Sequence, residues 1–135
     1  STFRWSLRGG RNDRNVQTAA LKEIVAFLNS GGGTLILGVS DDGSVVGIEP
    51  DGYRNHDEYQ RALLSTIHDR IGQSFVDAVQ IHFWPVGAHE VIAIQCRPAI
   101  STEPSFLDGE ELYVRQGPMT VCLRGRELAD WVRRH

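Results

Sequence analysis

The chain is predicted to be a single α+β domain: a mainly antiparallel, mixed sheet with two main helices and a short C-terminal helix. Three observations carry that expectation. Apolar residues recur at helical spacing over residues 16–28 and again over 59–71. Short alternating or fully apolar runs fill much of the rest. Glycine- and proline-marked turns join neighbouring runs closely enough for hairpins, which connect antiparallel strands.

The elements follow in chain order. Residues 3–7 alternate enough for a short strand, and residues 8–14, with two glycines, read as a basic loop. Asn15 suits the N-cap of a helix whose stripe is Val16, Ala20, Ile24 and Phe27, widened by Leu21, Val25 and Leu28. That helix ends at residues 29–33, where glycine supplies the left-handed C-terminal position. Residues 34–39 are apolar on both faces and predict a central strand. Residues 40–44 turn, and residues 45–48 pair back as a hairpin. Asn55 with Glu58 resembles a capping box before a second helix, marked by Tyr59, Leu63, Ile67 and Ile71 and stopped by Gly72. Val79, Ile81 and Phe83 alternate with Gln80, His82 and Trp84, which predicts a half-exposed strand. Residues 85–89 turn into a more apolar strand over 91–96. A loop-rich crossing over 98–109 holds a short strand near 105–107. Residues 112–114 and 120–123 flank a Gly-Pro turn, and a helix over 126–133 closes the chain with Leu128, Trp131 and Val132 inward.

Composition bounds the class. At 135 residues with 41% hydrophobic content, the chain is long enough for one core of its own. It has no apolar run of membrane-span length and no signal-peptide pattern. Cys96 and Cys122 both lie in apolar strand patterns, which predicts buried free thiols and a reducing, cytoplasmic setting. The chain opens without Met and straight into a strand pattern, so residues 1–135 are expected to be one domain of a longer protein.

Charge is segregated. The net charge is −3, but residues 1–22 carry a net +4, residues 115–135 a net +3, and the middle −10. If the two ends meet in the fold, they form a basic patch on an acidic body. The chain has 14 Lys and Arg together, and only Lys22 is a lysine; arginine suits bidentate phosphate contacts.

The glycine run Gly31-Gly32-Gly33 is not a phosphate loop. Such loops place glycines before a helix, where backbone N–H groups face the anion. Here the glycines follow a helix and precede a strand, at the end whose dipole repels phosphate. The five histidines show no metal-ligand spacing, and the serines lack a nucleophile elbow. Trp5, Trp84 and Trp131 are candidates for base stacking, with core or interface packing as the alternative.

The segment AFLNSGGGTLILGVSDDGSVVGI resembles the central signature of the Schlafen-type AlbA-like domain family. Phe3-Arg4-Trp5-Ser6 stands where that family has a Glu-Phe-Lys-like opening strand. Residues 103–106, Glu-Pro-Ser-Phe, and residues 111–118, Glu-Leu-Tyr-Val-Arg-Gln-Gly-Pro, resemble two later family strands. The resemblance implies a nucleic-acid-binding module, RNA or DNA. The charge segregation offers Arg4, Arg8, Arg11, Arg14 and Lys22 as phosphate contacts, with a solvated basic loop as the alternative, and Arg115 fits a family position beside the first strand, with an ion pair to an acid of the middle segment as its alternative. The resemblance also implies an alternative, a metal-dependent ribonuclease in which Asp41 or Asp42 joins two glutamates. Clustered carboxylates hold a divalent metal that polarises phosphate. Arg4 occupies the place of one of those carboxylates, and an arginine cannot ligate a metal. Asp41-Asp42-Gly43 is equally readable as a plain turn. No cofactor is therefore expected unless the nuclease alternative holds. A third reading is a non-catalytic oligomerisation domain. The family core carries two related lobes and this chain resembles one, so a homodimer or a fused partner domain is expected to cover the open face.

Overall fold

A computed structural model describes residues 11–40, 42–99 and 103–135 of the chain. In order these form α1 (Arg11–Leu28), β1 (Gly33–Leu37), a 3-10 turn (Glu49–Asp51), α2 (His56–Arg70), α3 (Gln73–Val76), β2 (Val79–Val86), β3 (His89–Cys96), β4 (Leu112–Gln116), β5 (Met119–Leu123) and α4 (Gly125–Arg134). The architecture is α+β. All described strand pairs are antiparallel, in a three-stranded sheet of order β1-β3-β2 and a separate β4-β5 hairpin.

The register explains the core. Leu37, Ile92 and Phe83 lie abreast across the sheet, as do Leu35, Ile94 and Ile81. These side chains share one face, because alternate residues of a strand point the same way. Ala20, Leu21, Ile24 and Leu28 of α1 meet them in one cluster with Tyr59, Leu63 and Ile67 of α2. On its other side α1 packs against β4 and β5. Leu128 and Trp131 of α4 cover Leu112, Val114 and Leu123 of that hairpin.

Two turns follow glycine chemistry. Gly87 (φ +61°) opens the two-residue loop between Val86 and His89, and Gly117 (φ +61°) does the same between Gln116 and Met119. A positive φ at the first loop residue matches the right-handed twist of the flanking strands. Asn55 caps α2 as expected, its side chain accepting from the Glu58 N–H at 2.8 Å. The reciprocal half is shifted by one residue: the Glu58 carboxylate takes the Arg54 Nε–H instead, at 2.8 Å.

Several expectations are corrected. Among the described residues β1, within the run 34–39, pairs with β3 alone, and β3 pairs on both sides. In β3 Val91 and Ile92 are buried on opposite sides, whereas Ile36 of β1 is 36% exposed. Residues 11–14 continue α1, and Asn15 lies inside it rather than capping it. That polar stretch holds neither Gly nor Pro, and polarity alone does not end a helix. The hairpin over 45–48 reduces to the single bridge Val39–Val45, with the Gly38 carbonyl accepting from both Val46 and Gly47 N–H. Gly38 and Gly47 approach so closely that a Cβ on Gly38 would lie 3.1 Å from the Gly47 backbone. The strand near 105–107 is one bridge, Leu107–Glu111. Val132 is 44% exposed, because only a narrow stripe of α4 reaches the hairpin. Cys122 is half-buried; Cys96 is buried, which pushes its thiol pKa up to about 12. The expected strand over residues 3–7 lies outside the described residues. No described helix is long and apolar enough to cross a membrane.

Candidate functional site

The signature segment builds a structural node. Asn29, at the end of α1, is 2% exposed. Its Nδ2 donates to the carbonyls of Ser105 (2.9 Å) and Tyr113 (3.0 Å). Its Oδ1 accepts from the Ser105 N–H (2.8 Å) and hydroxyl (3.0 Å). Next to it, the Ser30 hydroxyl accepts from the Arg115 N–H at 3.0 Å. One helix end thus ties down both the 105 segment and β4. The glycines that follow serve close packing. A Cβ on Gly32 would lie 2.7 Å from the Cys96 carbonyl oxygen, and one on Gly33 would lie 2.5 Å from the Phe27 ring. From the sequence, Asn29 reads only as part of a helix end. The signal that could have found it is a lone asparagine four residues after Val25, in line with the apolar stripe.

Of the expected phosphate-contacting set, Arg4 and Arg8 lie outside the described residues. Arg11 and Arg14 fall in the first turn of α1, and Lys22 follows about three turns from Arg11. The Lys22 ammonium sits 5.6 Å from the centre of the Tyr113 ring, over β4. Arg115 is half-buried. Its Nη1 donates to Glu23 (2.9 Å) and Thr120 Oγ1 (2.9 Å), and its guanidinium stands 5.3 Å from the Phe27 ring centre. Lys22 and Arg115 therefore flank one α1–β4 seam, with Arg115 neutralised by Glu23.

Asp41 lies outside the described residues. Asp42 is exposed and builds its own turn, accepting from the Ser40 hydroxyl and from the Ser44 N–H (2.9 Å). Those bonds, Ser40 first, hold its carboxyl pKa down at about 2. Among the described residues no group of three or more His, Cys, Asp or Glu side chains is placed to hold a metal. Trp84 is 64% exposed on the sheet face away from the core, and Trp131 stacks on His135 at 4.4 Å.

A second feature is not anticipated from the sequence. A cleft of about 680 Å³ opens between the 3-10 turn, the loop after it, the start of α2, and Phe83 and Glu90 of β2 and β3. Its walls are aromatic. Tyr53 and Tyr59 lie 4.2 Å apart, His56 stacks on Phe83 at 3.9 Å, and Tyr59 meets Phe83 edge-on at 6.2 Å. Glu90 pairs with His56 Nε2 at 2.8 Å. Glu49 accepts from the Glu90 N–H and meets His89 Nδ1, both at 3.1 Å. Burial works against the Glu49 charge, but its own N–H, His89 and the Glu90 N–H together hold its pKa below the ordinary value. Behind the wall, buried Asp51 accepts from the Tyr59 hydroxyl. Burial, then the Asp51 and Glu58 carboxylates, pushes the Tyr53 phenol pKa up to about 12, so it stays protonated. The charged loop over 49–57 holds a tyrosine at a spacing that no helix or strand period flags.

The fold and the node define a small α+β domain whose glycine run packs closely against Cys96 and Phe27 at the end of α1. A family model described as Schlafen, AlbA_2 matches residues 5–123, and the chain belongs to that family. α4 lies beyond the matched residues. The crystal structure of the DIP2311 protein from Corynebacterium diphtheriae is similar, with a TM-score of 0.62 and 24% identity over 91% of this chain. The chain covers only 20% of that protein's length. The solution structure of the N-terminal domain of a putative ATP-dependent DNA helicase RecG-related protein from Nitrosomonas europaea matches with a TM-score of 0.49 and 19% identity. The match covers 81% of this chain and 78% of that one.

Proposed function

We propose that this domain binds nucleic acid, RNA or DNA, as a module of a longer cytoplasmic regulatory or defence protein, mainly through arginine–phosphate contacts. The observation that carries the reading is the packing of α1 against β4 and β5. α1 starts within the basic N-terminal segment and β5 lies within the basic C-terminal one, which supports reading their +4 and +3 as parts of one patch. Family membership supports the same reading. Arg4, Arg8, Arg11, Arg14 and Lys22 supply the contacts, and Arg115 contributes from a pair already shared with Glu23. The domain is read as binding rather than cleaving because Arg4 stands where the resemblance calls for a carboxylate.

The test is fluorescence anisotropy with labelled RNA and DNA at several salt concentrations. Affinity is expected to be micromolar or weaker and to fall steeply with salt. Every phosphate that the Arg8→Ala/Arg11→Ala variant no longer neutralises is expected to flatten the log–log slope on duplex DNA by about 0.9. Unchanged affinity and slope in that variant remove this segment from the interface.

Pairing of two copies belongs to the same proposal. Ile36, Trp84 and Val86 are exposed apolar residues on one sheet face, and a second copy covering them doubles the basic surface. Light scattering is expected to give twice the 15.0 kDa chain mass. A monomer at micromolar concentration rules the pairing out for this domain.

A further inference from the structure

We propose that the cleft between Glu49, Tyr53, Tyr59, Phe83 and Glu90 is a binding site for an organic cation, a guanidinium or alkylammonium group. Among the described residues, Glu49 and Glu90 each pair with an imidazole, His89 and His56, rather than with a lysine or arginine. The charged residues at the rim are already matched with each other: Arg54 with Glu58, and Asp57 with Arg61. Neither partner carries the permanent charge of a lysine or an arginine. The cleft therefore keeps the field of two carboxylates beside low-dielectric aromatic walls, where fields are focused.

That field selects the ligand. Phosphate and other anions are repelled, so the cleft is distinct from the proposed nucleic-acid surface. A neutral apolar ligand would strip water from the two carboxylates and return nothing. Among the described residues the carboxylates and imidazoles form no three-ligand metal group. A cation with a flat or apolar body meets every requirement. The half-buried Tyr53 offers the cation an aromatic ring at the cleft wall, and Glu49 and Glu90 accept charge-assisted hydrogen bonds. At about 680 Å³ the space exceeds a lone guanidinium and suits one with its alkyl chain attached. Such a group comes from an arginine or lysine side chain of a protein, or from a free polyamine.

The experiment is an amide-resolved NMR titration of the 135-residue chain with three probes: N-acetyl-arginine amide, spermidine, and the uncharged isostere N-acetyl-citrulline amide. Saturable shifts are expected at Tyr53, Tyr59, Phe83 and Glu90 with at least one cation and not with the citrulline compound. Response to the arginine compound alone assigns the site to a protein side chain. Response to spermidine alone assigns it to an alkylammonium, from a polyamine or a lysine side chain, and response to both to the cationic group itself. Glu90→Gln and Glu49→Gln are each expected to weaken binding about tenfold or more, the range for losing a hydrogen bond to a charged group. No saturable shift in the cleft with either cation overturns the proposal. So does equal binding of the citrulline compound, a control that needs no variant. Unchanged affinity in both folded glutamine variants overturns it as well.

Discussion

The Asn29 node and the aromatic cleft both set polar groups among apolar side chains, and they differ in what satisfies those groups. Asn29 bonds to two backbone carbonyls, one backbone N–H and one hydroxyl, none of which titrates near neutrality. Its bonding capacity is filled from within the fold, so nothing remains for a ligand. In the cleft, Glu49 and Glu90 are met by imidazoles, and the space in front of them is open. A polar residue closed on backbone is architecture. A polar residue held by titratable side chains at the edge of a cavity retains charge that a partner can use.

The two sites are expected to lose unequal stability when their polar groups are cut. Asn29→Ala gives the largest effect. It leaves the Ser105 N–H and the Ser105 and Tyr113 carbonyls buried without the amide that satisfies them, at a cost of about 3–5 kcal/mol. Urea unfolding would show it as a lower midpoint with unchanged slope. A loss below about 1 kcal/mol means that water replaces the amide, and the node is not closed. Gly32→Ala tests the neighbouring close approach. With φ +79° and the Cys96 carbonyl 2.7 Å from the new Cβ, the expected loss is about 1–3 kcal/mol by the same measurement. Glu90→Gln stands at the other end. Its pair with His56 is partly exposed, and the expected change in stability is under about 1 kcal/mol. A larger loss would make the cleft's carboxylate a structural group like Asn29 and erase the contrast.

Much of the fold was legible. Helix α2, its Asn55 cap, the β2–β3 and β4–β5 hairpins and the role of the glycine run all followed from periodicity and turn residues. The errors came where two environments share one pattern. The apolar run at 34–39 looks buried on both faces, but Ile36 stays partly open. The stretch from Arg11 to Arg14 looks like a loop by polarity, yet it is helical. The candidate site was less legible. Arg115 was readable as a cation on a strand, but not as the partner of Glu23, which stands 92 positions away in the chain.

That division has one physical cause. Hydrogen-bond periodicity, capping and positive-φ turns depend on residues a few positions apart, so the chain alone determined the helices, the hairpins and the placement of glycines after α1 rather than before it. Charge segregation was also in the chain, as a count along its length. Which charges meet depends on packing between distant segments. Only the tertiary structure set α1 against β4, closed Asn29 on Ser105 and Tyr113, and gathered Glu49, Tyr53, Phe83 and Glu90 around one cleft. Contacts of that kind are selected by burial of the whole core, and no local pattern carries them.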